Sequence, residues 1–185
     1  MKKSISTKKG DAGRTQLLYN ARVSKDNLRT ETYGTLDEAA AFLGVARAAS
    51  TLPLVQEVLL MVQNHLFLIN AELACPPEHL HKLKKKLTQK QLTELECRAD
   101  EIEARLDLPP KFVLYGQTQA AAHLDVARAV IRRAERRFIS LAEIETIDNT
   151  SIGPYLNRLS DALYLLARFE EVESGAGSRY VEDGK

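Results

Sequence analysis

Val55, Val58, Leu59, Val62, Leu66 and Ile69 recur at three- and four-residue intervals behind Pro53, a period that commits this stretch to an amphipathic helix. Proline at a first helical position loses no hydrogen bond, so the helix is predicted to open near Pro53. Similar patterns recur four more times. Residues 36–49 carry Ala39, Ala40, Ala41, Phe42, Leu43 and Val45 on nearly every face, which predicts a helix packed on more than one side. Residues 78–106 present Leu80, Leu83, Leu87, Leu95, Ile102 and Leu106, with Lys84-Lys85-Lys86 as the wet face. Residues 118–140 and 153–172 give the last two helices, the latter with Leu156, Leu159, Leu163, Leu166 and Phe169 inward. Five helices joined by short connections, with no convincing strand, predict an all-α five-helix bundle over residues 31–173. Within the same domain, residues 1–30 are polar and broken by Gly10, Asp11 and Gly13, predicting an orderable loop. Residues 174–185, with Gly175-Ala176-Gly177, predict a flexible tail outside the core.

Charge narrows the function classes. Lys and Arg number 26 against 25 Asp and Glu, a formal net charge of +1, so nothing pulls the whole molecule toward nucleic acid or an acidic membrane. Any anion site must be local. Cys75 and Cys97 form no CxxC and no disulfide framework, and no secretory-type leader is evident, so a cytoplasmic location is expected. No apolar run is expected to reach membrane-spanning length. His79 and His81 beside Cys75 fit a surface helix start behind Pro76-Pro77 better than a metal site, because the histidine spacing is wrong for one helical face.

Residues 128–137 concentrate five arginines and one glutamate on a predicted helix. Arg128, Arg132, Glu135 and Arg136 share a sector at helical spacing, and like charges four residues apart repel. Either solvent or an anionic partner offsets that repulsion; a polyphosphate matches fixed guanidinium forks. A second candidate is Thr7-Lys8-Lys9-Gly10-Asp11-Ala12-Gly13-Arg14-Thr15, where small residues let backbone N–H groups converge on an anion beside lysine and threonine donors. It lacks the Walker A pattern, and a basic chain terminus is the plainer alternative. Asp11 suits the orientation of a cation or a magnesium-bound water.

Thr35 and Glu38 have capping-box spacing, which predicts a helix start there, whereas Asp37 fits either the helix dipole or a bridge to an arginine on a neighbouring helix. Lys25 and Arg29 stand as surface cations or ligand contacts with equal claim. Asn157 is either exposed or turned toward the arginine helix, where it could meet a ribose or phosphate. No Ser/His/Asp set, HExxH or catalytic carboxylate pair assembles, so any catalysis must work by positioning and charge stabilisation.

These segments, in this order, resemble the PduO-type ATP:cob(I)alamin adenosyltransferases. The resemblance runs from 7–15 through Arg22-Val23-Ser24-Lys25-Asp26 and Tyr33-Gly34-Thr35-Leu36-Asp37-Glu38. It resumes at Phe112-Val113-Leu114, Arg128 and Arg132-Arg133-Ala134-Glu135-Arg136, and closes at Tyr155-Leu156-Asn157-Arg158-Leu159-Ser160-Asp161. It implies a ferritin-like up-down bundle assembled as a homotrimer, with sites between subunits and transfer of the 5'-deoxyadenosyl group of ATP to cob(I)alamin. By the same resemblance Thr7, Lys8, Lys9, Gly10, Asp11, Gly13, Thr15, Lys25, Arg132, Glu135, Arg136 and Asn157 would bind ATP, with Mg2+ on the triphosphate. Arg132, Arg128, Asp37 and Phe112 would serve the transfer, Asp37 pairing with Arg128 and Phe112 pressing on the lower corrin face. A corrinoid reductase and an adenosylcobalamin-dependent enzyme would be the partners. A non-catalytic module that delivers or senses ATP or adenosylcobalamin is the alternative. The chain departs from the family pattern at Ala39-Ala40, Tyr115-Gly116-Gln117 and Asn20-Ala21.

Overall fold

The computed structural model describes residue 8 and residues 10–182. Five α-helices carry the fold: α1 (Leu28–Ala49), α2 (Pro53–Leu73), α3 (Gln89–Glu103), α4 (Gln119–Ile144) and α5 (Ile152–Glu173). Helix α4 packs along both α1 and α5, α1 also packs on α2, and α3 lies against α5. Leu36, Leu43, Leu59, Leu66, Ile69, Leu95, Leu124, Ile131, Leu156 and Leu163 are all completely buried in the shared core. Helix α1 is thus covered on two sides, as its apolar faces predict.

Among the described residues four short strands correct the expectation of none: β1 (Arg14–Gln16), β2 (Arg22–Ser24), β3 (Val113–Leu114) and β4 (Arg179–Tyr180). β1 and β2 form an antiparallel hairpin with Thr15 opposite Val23, and β3 pairs antiparallel with β4. Strands of two or three residues carry no readable alternation, which is why the sequence conceals them. The tail is accordingly not loose along its described length: Gly177 N–H donates to the Glu171 carbonyl and Val181 N–H to the Phe112 carbonyl. Leu114 is 49% exposed, so β3 lies on the surface despite its apolar residues.

Two helix starts differ from expectation. Helix α1 begins at Leu28, capped by the Asn27 side chain, which accepts from Arg29 N–H. Thr35 is therefore mid-helix, its hydroxyl donating to the Glu31 carbonyl, while Glu38 pairs with Arg133 of α4, so the capping box is not formed. Helix α3 begins at Gln89 under a capping box of Thr88 and Gln91. Ahead of it, Pro77–Lys82 make only a 3-10 turn, and the exposed lysines 84–86 sit on irregular chain rather than on a helix. Buried Glu72 fixes that segment by accepting from Leu87 N–H at 2.6 Å and from the Asn149 amide at 2.8 Å.

Helix α2 corrects another expectation: by length and composition it could cross a membrane. Here its apolar row Val55, Val58, Leu59, Val62, Leu66, Ile69 and Leu73 is in the core, while Leu60 and Phe67 face outward. His65, also nearly buried, bonds Tyr155 Oη at 3.0 Å; burial lowers its pKa against the opposing pull of Glu94, and burial raises that of Tyr155.

Candidate active site

The first group of predicted site residues is built on the β1–β2 hairpin. Gly13, at φ +74, closes a turn in which its N–H donates to the Gly10 carbonyl and its own carbonyl accepts from Lys25 N–H. Lys25 folds back across Gly10: a Cβ there would stand 3.3 Å from Lys25 Cε, so glycine makes room for the lysine. Gly10, Asp11, Gly13, Thr15 and Lys25 are thereby gathered on one hairpin, with Lys8 beside it in a left-handed conformation, its carbonyl accepting from Asp11 N–H. Thr7 and Lys9 lie outside the described residues. The hairpin is tied to the end of α2 by Leu18 N–H donating to the Ala74 carbonyl. Asn20 has φ 68, which explains the departure at this point: asparagine tolerates the left-handed region where a glycine would otherwise be used.

The second group lies between α4 and α5. The Asn157 amide donates to Glu135 at 3.0 Å, so Asn157 does face the arginine helix. Beside them opens a groove of about 380 Å³ with Phe138, Ile139 and Pro154 as apolar wall. Gly153 has room for little else, since a Cβ would stand 3.3 Å from Phe138. Arg132 and Arg136 are exposed along α4 near this groove, while Arg133 turns to Glu38 of α1. A flat apolar wall with one carboxylate and one amide at its edge suits a nucleobase or ribose, and the neighbouring free-standing guanidinium groups suit its phosphates.

The third group surrounds the loop that carries Phe112. Phe112 is 86% exposed, held by its backbone rather than by side-chain burial. Arg128 donates to Tyr115 Oη at 2.9 Å and lies 3.7 Å from Asp125. Its partners within the chain are therefore Asp125 and Tyr115, not Asp37, which stands exposed on α1. Asp125 in turn binds Arg168 at 2.8 Å, and Arg168, completely buried, also donates twice to Glu171. Burial pushes the Asp125 carboxyl above its ordinary value, with Arg168 pulling the other way. For Arg168 burial acts to lower the pKa, but the bonds to Asp125 and Glu171 outweigh it and the net shift is upward. Arg168, Asp125 and Glu171 were not singled out from sequence; the i,i+3 spacings Asp125/Arg128 and Arg168/Glu171 were the available signal.

Among the described residues no group of three or more His, Cys, Asp or Glu could hold a metal. Cys75 is buried, and burial raises its thiol pKa. The set of groups is thus one for binding anions, an aromatic base and an apolar face.

Comparison with known proteins agrees with that geometry. A family model described as cobalamin adenosyltransferase matches residues 5–170. The corrinoid adenosyltransferase of Citrobacter freundii is 38% identical over 167 residues, covering 90% of this chain and 94% of that protein. The Bacillus subtilis (strain 168) corrinoid adenosyltransferase is 40% identical over 177 residues, 94% of this chain and 89% of its own. Against the corrinoid adenosyltransferase PduO of Salmonella typhimurium, identity is 38% over 92% of this chain, which spans 51% of that longer relative. Among solved structures, a variant PduO-type ATP:corrinoid adenosyltransferase from Lactobacillus reuteri complexed with cobalamin and ATP superposes with a TM-score of 0.88 at 30% identity, covering 98% of both chains. With a matching family model over most of its length and a hairpin, groove and loop laid out in the same fold, the chain belongs to the cobalamin adenosyltransferase family.

Proposed function

We propose that this chain transfers the 5'-deoxyadenosyl group of ATP to the cobalt of a reduced, Co(I) corrinoid, releasing triphosphate. The supporting observation is the joint presence of an anion-binding hairpin, a nucleoside-sized groove and an exposed aromatic beside an arginine on a chain of this family. The corrinoid substrate supplies the nucleophile; the chain supplies orientation and charge. Lys25, Gly10 and Thr15 hold phosphate oxygens, Arg132 and Arg136 neutralise the leaving triphosphate, and Glu135 with Asn157 grip the nucleoside. Phe112 covers the lower corrin face and withholds water from cobalt.

Magnesium is carried on the triphosphate. The hairpin offers Asp11 as an exposed acidic side chain for a metal-bound water. Assembly as a homotrimer with sites between copies is supported by the layout of one chain. The hairpin is tied to the end of α2 that Arg29 joins to Glu145, whereas Arg128 lies roughly 25 Å back along α4 from Glu145 by helical rise. An exposed Asp37 is then free to meet Arg128 of an adjacent copy. A reductase supplies the Co(I) corrinoid and an adenosylcobalamin-dependent enzyme takes the product, in the cytoplasm.

Anaerobic turnover of chemically reduced cobalamin with Mg-ATP tests the reading, with the corrinoid spectrum and triphosphate followed together. Equal amounts of both products are expected. Binding of both substrates without triphosphate would replace the enzyme with the delivery or sensing module. Arg132→Ala should lower kcat/KM by about 100-fold or more with folding intact, as expected for a lost charge contact in the transition state.

A further inference from the structure

The loop carrying Phe112 keeps its side chains outside: Phe112, Leu114 and Tyr115 are 86%, 49% and 58% exposed. Hydrogen bonds, not burial, must therefore set where it stands. One anchor is the tail, where Val181 N–H donates to the Phe112 carbonyl at 2.7 Å and β4 pairs with β3. The other is Tyr115, three residues on, whose hydroxyl accepts from Arg128 at 2.9 Å. Just past the second anchor Gly116, at φ +94, turns the chain and Gln117 closes the turn onto the Leu114 carbonyl.

Both anchors lead to one buried group. Arg128 leans on Asp125, Asp125 binds Arg168, and Arg168 binds Glu171, which also accepts from Ser178 Oγ of the tail at 2.6 Å. Arg168 is completely buried and Asp125 and Glu171 nearly or wholly so, giving the loop a rigid foundation. Tyr115 meets Arg128 in two ways, its hydroxyl accepting from the guanidinium and its ring lying 5.4 Å from it, and only the hydroxyl fixes a direction.

We propose that Tyr115 is a positioning residue for the corrinoid: its hydroxyl fixes the Arg128 guanidinium and the Phe112 loop relative to one another, so that corrinoid affinity in this chain depends on the Tyr115–Arg128 bond. The inference rests on the adenosyl-transfer reading and adds to it the coupling of two corrinoid-side groups through the Tyr115 hydroxyl. The hydroxyl acts on the corrinoid only through Arg128 and the loop, and leaves the ATP groups alone.

Tyr115→Phe removes the acceptor and keeps the ring. Expected are a rise of about 5- to 10-fold in the corrinoid KM, the loss of one hydrogen bond to a charged group, with the KM for ATP unchanged. The absorption spectrum of bound cob(II)alamin, which reports an axial ligand, should shift toward the ligated form. In an Arg128→Lys background the same Tyr115→Phe change should have less than half of its effect, because the bond is already altered. Melting temperature should stay within about 2 °C, since the side chain is more than half exposed.

A wild-type corrinoid KM and spectrum in Tyr115→Phe, an equal effect in both Arg128 backgrounds, a raised ATP KM alone or a larger fall in melting temperature would each overturn the assignment while leaving adenosyl transfer standing. Absence of triphosphate from the unsubstituted chain, with both substrates bound, would overturn both.

Discussion

Two buried arginines stand at opposite ends of the bundle and do different work. Arg29, 5% exposed, donates to Glu145 at the end of α4 and to the carbonyls of Leu73 and Cys75 behind α2. It joins three helix ends, and its carboxylate partner is still one-third in solvent. Arg168 instead faces two buried carboxylates, Asp125 and Glu171, and passes its influence to Arg128, Tyr115 and the tail. One guanidinium between two carboxylates leaves an excess of negative charge, which the nearby Arg128 answers. Arg29 thus staples helix ends together, whereas Arg168, outnumbered by its acids, draws a second arginine into its network.

The largest expected effect tests that contrast directly. Arg168→Leu leaves Glu171 with the Ser178 hydroxyl but no cation, and Asp125 with Arg128 alone at 3.7 Å, and should cost about 3–5 kcal/mol, read from the urea midpoint. Arg29→Leu should cost less, about 1–3 kcal/mol, because Glu145 can be hydrated where it stands. Equal losses would erase the distinction. Smaller again is Asn27→Ala, which removes the cap of α1 next to Arg29 and should lower stability by about 1 kcal/mol in the same titration.

The smallest effect concerns the neighbours Glu170 and Glu171 on α5. Glu171 has Arg168, whereas Glu170 has only the Ser50 hydroxyl at 2.7 Å, and burial raises its carboxyl above the ordinary 4.5 despite that bond. A raised native value means that the folded chain holds the proton more tightly than the unfolded one. This contribution is fully present below pH 4.5 and is lost as pH rises through the higher native value. Glu170→Gln should flatten that decline in stability measured across the acidic range. An unchanged slope would show that Glu170 is not its source.

How much of this could be read from sequence depended on the range of the interactions. The apolar rows of α2, α4 and α5 were legible because each is a local period, and their observed bounds fall close to the predicted ones. The Thr35–Glu38 pair misled because a capping motif is identical in composition to mid-helix residues whose hydroxyl bonds four back and whose acid reaches α4. Residues 78–88 looked helical by period, but a long-range grip from Glu72 on Leu87 holds the chain off the helix. In the site, glycine and lysine spacing marked residues 7–15 as a candidate anion loop but gave no sign of the β1–β2 pairing that carries its second half. The meeting of Asn157 with Glu135 was one of two readings, and the Arg168 network, joining residues 43 positions apart, had no local signature strong enough to name it.

Helix α1 lies between α2 and α4, and this arrangement has a consequence for a chain that emerges from the ribosome in order. Its first partner follows after a short turn, but roughly 45 residues separate the end of α2 from the start of α4, which at about 5–20 residues per second is a wait of several seconds. Through that interval Leu36, Leu43 and their neighbours stand on a nascent hairpin with one apolar side uncovered. The same interval is the one in which α2, apolar over 21 residues, has only α1 to hold it. Synthesis of α4 is therefore the event that commits the chain, and slowing translation between α2 and α4 should lengthen the time the nascent hairpin spends in the hands of chaperones.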